Sequence, residues 1–175
     1  MDQFEYLKQN NIVCLQQGID LLDKLSDDAY MHVNPPVYTS CVGDHYRHCL
    51  EHYGSFFKGL PARCIDYDAR DRDQRIASER VYAIEVTSTL IKQLNQLSCP
   101  KEALQVKMDC RLDEEEGAVW VQSSAERDLQ YLQAHTIHHY ALIALILRFQ
   151  GVDPGKEFGI APSTLTYMKR QLESA

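Results

Sequence analysis

Apolar residues recur every three or four positions over several long stretches of this chain, separated by shorter polar breaks. Across residues 4–25, Phe4, Leu7, Ile12, Leu15, Ile19 and Leu22 fall near helical spacing, which predicts an amphipathic first helix. Asn34-Pro35-Pro36 stops that helix from continuing, because proline lacks the donor and clashes with the preceding turn. A second helix is expected over residues 40–58, with Ser40 as N-cap, Asp44 in the first turn, and Gly59 and Pro61 closing it. A loop in which Asp and Arg alternate between Asp66 and Asp73 leads to a third helix over residues 74–97, with Ile76, Val81, Ile84, Leu90, Ile91 and Leu94 facing inward.

The period then changes. From Leu104 to Met108 apolar and polar residues alternate, Glu114-Glu115-Glu116-Gly117 supplies a turn, and Val119-Trp120-Val121 follows, the signature of a short β-hairpin. Ser123 followed by Glu126 has the spacing of a capping box and opens a fourth helix, which runs to Gln150 before Gly151. Its apolar residues extend almost all round over positions 140–147, so it should be the most buried helix. Ser163 is a suitable cap for a short C-terminal helix ending near Glu173. The expectation is an all-α protein: four helices, a short hairpin inserted between the third and fourth, and a short helix at the end, forming one domain over residues 1–175.

Composition narrows the function. Hydrophobic residues at 45% and charged residues at 25% exclude a disordered chain, and 175 residues suffice for a core that needs no disulfides. A net charge of −7 supplies no basic stripe for a phosphate backbone, so nucleic acid is not an expected partner. The sequence opening at Met1-Asp2-Gln3-Phe4-Glu5 has no basic flank or apolar block, and the apolar run over 140–147 is too short to span a bilayer. A cytoplasmic protein without a membrane segment is expected. None of the cysteines, Cys14, Cys41, Cys49, Cys64, Cys99 and Cys110, forms a Cys-x-x-Cys pair; they are expected to fill the core as free thiols.

The chemistry lies in the histidines. Six of seven fall into two groups, His45, His48 and His52 on the second helix and His135, His138 and His139 on the fourth. At about 100° per residue, positions 135 and 139 differ by roughly 40° and lie one turn apart, so both imidazoles can reach one ion. Positions 45, 48 and 52 share one stripe by the same arithmetic, and one of them can supply a third ligand. Three neutral imidazoles leave positions open for water or substrate, as in catalytic sites, and imidazole suits zinc, nickel, copper and iron alike. Asp44, Glu51 and Asp128 are candidates to orient a ligand's second nitrogen. A glutamate beside the first histidine, which a zinc metalloprotease requires, is missing.

With Gly43-Asp44-His45-Tyr46-Arg47-His48 and His135-Thr136-Ile137-His138-His139 in place, the chain resembles the DinB-like (YfiT-like) metal-binding four-helix-bundle superfamily over most of its length. The resemblance implies a divalent ion, zinc or nickel, on His48, His135 and His139; His48 is chosen over His45 because it stands five residues after Gly43. It also implies a metal-dependent transferase, isomerase or hydrolase that activates water or a low-molecular-weight thiol, acting on a small-molecule substrate, and a homodimer. The alternative is a non-enzymatic metal-binding stress or interaction protein with a structural ion. His45 and His52 remain as candidate catalytic bases.

Tyr67, Arg70 and Arg72 are candidates for binding an anionic substrate, since arginine presents a fork of donors to a carboxylate; the bland alternative is a self-paired, solvated Asp/Arg loop. Tyr46, Tyr53 and Tyr140 are expected to pack, and Trp120 to anchor the core or an interface.

Overall fold

A computed structural model of the chain describes residues 2–110 and 118–173; the turn expected at residues 114–117 lies outside them. Helix α1 (Gln3–Leu22) is followed by a one-turn helix α2 (Asp27–Met31), which the hydropathy pattern did not predict. Ser26 caps α2, its hydroxyl accepting from the Ala29 amide at 3.2 Å. Helix α3 (Val42–Gly59) starts one residue later than the expected cap implies. Cys41, not Ser40, closes the capping box: its thiol accepts from the Asp44 amide at 3.4 Å and the Asp44 carboxylate accepts from the Cys41 amide at 3.1 Å.

The expected third helix is two helices, α4 (Gln74–Ser78) and α5 (Arg80–Gln96). Neither Gly nor Pro marks the break. Glu79 turns to an extended conformation, φ −119° and ψ 92°. Beyond it Arg80 ties the start of α5 to its neighbours, donating to Asp27 at 2.8 Å and to the Leu22 carbonyl at 2.9 Å. The break rotates Val81 outward, so it is exposed rather than facing the core. Helix α6 (Ala125–Phe149) is capped by Ser124, whose hydroxyl accepts from the Arg127 amide, not by the expected Ser123. Leu145 is 50% exposed, so α6 is not buried on every side. Helix α7 (Pro162–Glu173) begins on a proline at its first position, one residue ahead of Ser163, and none of its described side chains is buried.

Helices α1 and α3 each pack against both α5 and α6, closing a four-helix arrangement around Leu15, Leu22, Leu50, Tyr53, Phe56, Leu94, Leu129, Leu132, Ile143 and Leu147. The fold is mainly helical, broadly as the expected all-α class, with a small three-stranded sheet beside the bundle. The expected hairpin forms from β2 (Leu104–Lys107) and β3 (Trp120–Ser123), antiparallel. A third strand, β1 (Cys64–Asp66), joins β2 in parallel with Ile65 opposite Val106. Ile65 and Leu104 are completely buried beneath this sheet. Trp120 stays 47% exposed beneath the Lys107 ammonium, 5.4 Å from the ring centroid, and is not a core anchor. Only Cys14, Cys41 and Cys49 are buried; Cys64, Cys99 and Cys110 are exposed free thiols, contrary to the core-filling role expected of all six. No helix among the described residues is long and apolar enough to cross a membrane.

Candidate metal centre

The two histidine groups meet where α3 packs on α6. As the residue number rises along α3 it falls along α6: His45 lies against His139, His48 against both His139 and His135, and His52 against His135 and Tyr131. The helices are therefore antiparallel and their histidine stripes interleave. Gly43 lets the start of α3 sit this deep, because a Cβ there would collide with the backbone carbonyl of Ala77 on α4.

The ring nitrogens of His48, His52 and His135 lie within 4.8 Å of one another, close enough to hold a metal ion. His139 extends the group on the other side, its ring centroid 4.6 Å from that of His48 and 4.7 Å from that of His135. The four imidazoles thus form two triangles sharing the His48–His135 edge. His52 and His139 stand at the far corners.

Hydrogen bonds distinguish the corners. His52 Nδ1 donates to the His48 carbonyl at 2.7 Å, which leaves Nε2 as an acceptor, and the Arg70 guanidinium donates to that nitrogen at 3.3 Å. Both nitrogens of His52 are thereby engaged, since arginine keeps its protons. At the other corner His139 Nδ1 and His45 Nδ1 lie 3.0 Å apart, one donating to the other; with His139 as the donor, its Nε2 carries the lone pair a ligand needs. His135 Nε2 is buried with no hydrogen-bond partner among the described residues. A buried polar nitrogen without a partner is unfavourable, and a metal ion satisfies it. The donor set fits a divalent cation.

The electrostatics keep these rings neutral and hence able to ligate. Burial, reinforced by the neighbouring imidazoles, pushes His48 and His139 down to about 3. Burial likewise carries His52 and His135 down to about 4, with Arg70 adding to both. His45 is also lowered, mainly by burial, against the opposing pull of Asp44. His138 is exposed and sits edge-on to His139, 5.1 Å between centroids.

None of the expected carboxylates hydrogen-bonds an imidazole. Asp44 is spent on the α3 cap. Glu51 lies between Arg47 at 3.5 Å and Arg70 at 3.8 Å. Asp128 accepts from the Tyr67 hydroxyl at 2.8 Å and the Ser123 hydroxyl at 2.6 Å. Tyr67 acts as a wall: it is buried, stacked on His52 at 5.6 Å, and followed by Tyr131 stacked on His135 at 5.5 Å. The backbone carbonyl of Tyr67 accepts from Arg70 at 3.0 Å. Of the three residues expected to bind substrate, Tyr67 and Arg70 therefore adjoin the histidines. Arg72 is exposed at a left-handed φ of 54°. Tyr46, Tyr53 and Tyr140 are buried, as expected of packing residues, and Tyr53 donates to Asn11 at 2.7 Å.

The far side of the tyrosine wall was not foreseen. Tyr67, Tyr131 and Asp128, with Val106, Met108 and Val121 of the sheet region, line a cavity of about 530 Å³ that no histidine reaches. Its only sequence signal was the hairpin itself.

No protein-family model matches the chain, and no solved structure matches it. Among curated proteins it is similar to FK506-binding protein 5 of Rhizopus delemar, 33% identical over 114 residues that cover 61% of this chain. The chain spans 28% of that protein's length.

Proposed function

We propose that the chain is a divalent-metal-binding protein of the DinB-like (YfiT-like) kind, with zinc or nickel held by His48, His135 and His139. The observation that carries this is the buried, unpartnered Nε2 of His135 among imidazoles kept neutral by their surroundings. His139 is preferred to His52 as third ligand because, donating from Nδ1 to His45, it presents Nε2 as a lone pair, whereas both nitrogens of His52 are engaged and Arg70 places a positive charge at that corner.

When bound, such an ion lowers the pKa of a coordinated water or thiol toward neutrality and so furnishes a nucleophile for a transferase or hydrolase. The chain's own residues then orient and shuttle protons. His45, at the edge of the group, fixes the tautomer of His139 and is placed to accept a proton. His52 serves as base only when Arg70 releases its Nε2. The proposed partners are a small-molecule substrate, a low-molecular-weight thiol among them, and a second copy of the chain.

A second reading has its own support. The 530 Å³ cavity stops at the tyrosine wall, which favours an ion that ties α3 to α6 without turnover. Elemental analysis of protein purified without added metal decides whether there is an ion: near-stoichiometric metal in the wild type, lost in His135→Ala and His139→Ala but retained in His52→Ala, is expected. Metal-free wild-type protein would sink both readings. Cobalt spectra that respond to a small thiol favour the enzyme, and indifference favours the structural ion. Light scattering at micromolar concentration tests the dimer, which a monomeric mass rejects.

A further inference from the structure

We propose that Arg70 makes this centre a receptor for a carboxylate, bound jointly by the ion and the guanidinium; the inference rests on the metal reading above. It starts from unfilled donors. Arginine offers five N–H groups in a planar fork, and the hydrogen bonds Arg70 makes, to the Tyr67 carbonyl at 3.0 Å and to His52 Nε2 at 3.3 Å, both come from Nη1. Among the described residues its Nε is buried without a hydrogen-bond partner, and the hydrogen bonds it makes to them leave Nη2 unused. Glu51 lies 3.8 Å from that Nε, beyond hydrogen-bond reach, so it offsets charge without filling the donor.

Charge balance points the same way. The imidazoles are neutral ligands, and the nearest carboxylates are committed elsewhere: Asp44 to the helix cap, Glu51 between Arg47 and Arg70, Asp128 to Tyr67 and Ser123. A divalent ion held by three imidazoles would keep its full charge, in a half-buried place separated from the Arg70 guanidinium by the His52 ring. An anion is the missing complement. Among anions a carboxylate fits best, because its two oxygens can be shared between the ion and the arginine fork. The backbone bond from Arg70 to Tyr67 holds the guanidinium in place, so little side-chain freedom is lost on binding.

The test uses cobalt-loaded protein, with acetate and bromide as probes read in the visible cobalt bands. Acetate is expected to saturate the wild type. In Arg70→Lys, which keeps the charge and loses the fork, acetate binding should weaken tenfold or more while bromide stays within about threefold; Arg70→Ala should weaken both, acetate more. Stoichiometric cobalt in each variant shows that the centre is intact. Acetate affinity in Arg70→Lys within threefold of wild type overturns the proposal, as does an equal loss of both anions. A wild type that takes up no cobalt removes the metal reading itself, whereas tight cobalt indifferent to acetate removes only this inference.

Discussion

Lowering the pH should unfold this protein through its histidines. His48 and His139 are held down to about 3 and His52 and His135 to about 4, against about 6.5 for an imidazole in the unfolded chain. Below pH 6.5 the unfolded state therefore takes up protons that the native state refuses until about pH 4. Stability is complete above pH 6.5 and falls as the pH drops through that window. Each refused proton is worth about 1.4 kcal/mol per pH unit, so four would give between 5 and 6, roughly. His48, His135 and His139 keep partial contact with water, and solvent screening reduces this to about 2–3 kcal/mol per unit. Glu51 and Asp128, raised by burial, work in the opposite sense, but only near the carboxylate range. The assay is urea unfolding of chelator-treated protein at pH 7.5, 6.5, 5.5 and 4.5. The wild-type midpoint should stay level over the first step and then drop, with a shallower drop in His135→Gln. A midpoint that is flat from pH 6.5 to 4.5, or a drop that His135→Gln leaves unchanged, refutes the argument.

Two glycines on α3 should respond to alanine with opposite signs. At Gly54 a Cβ meets open space, so Gly54→Ala should raise the unfolding free energy from urea titration by about 1 kcal/mol through helix propensity alone. At Gly43 it meets the Ala77 backbone, so Gly43→Ala should cost about 1–3 kcal/mol by overpacking and lower metal affinity, because the histidine stripe shifts with the helix. Tyr67→Phe removes the hydroxyl that donates to buried Asp128 and should cost about 1.5–3 kcal/mol in the same assay; no change would mean that Ser123 alone satisfies the carboxylate.

Helices α1, α3 and α6 were legible because each repeats its apolar residues over four or more turns, and period is what sequence carries best. Strand β1 was not. Of its three residues only Ile65 is buried, and its partner Val106 lies forty-one positions away. The break at Glu79 left no trace because an ion pair from Arg80 to Asp27 of α2 and a hydrogen bond to the Leu22 carbonyl hold it, rather than Gly or Pro. For the site, spacing gave both histidine stripes but not their pairing, which the antiparallel crossing of α3 and α6 decides. Nor did it show that Arg70 reaches His52 from a loop eighteen residues on: an irregular segment has no period from which to read its direction. The exposed half of the cysteines fails for a similar reason, since a lone thiol in a loop or strand end looks like one in a core.

His45 and His139 touch across a sequence separation of 94 residues, and that distance has a kinetic meaning. Neither stripe can assemble a three-coordinate site alone, and most of the intervening chain must be in place before the second arrives. An ion bound there would therefore be expected to act late in folding. Its effect should appear as slower unfolding, with the refolding rate nearly unchanged. With an ion bound, the centre would work as a latch on the finished fold.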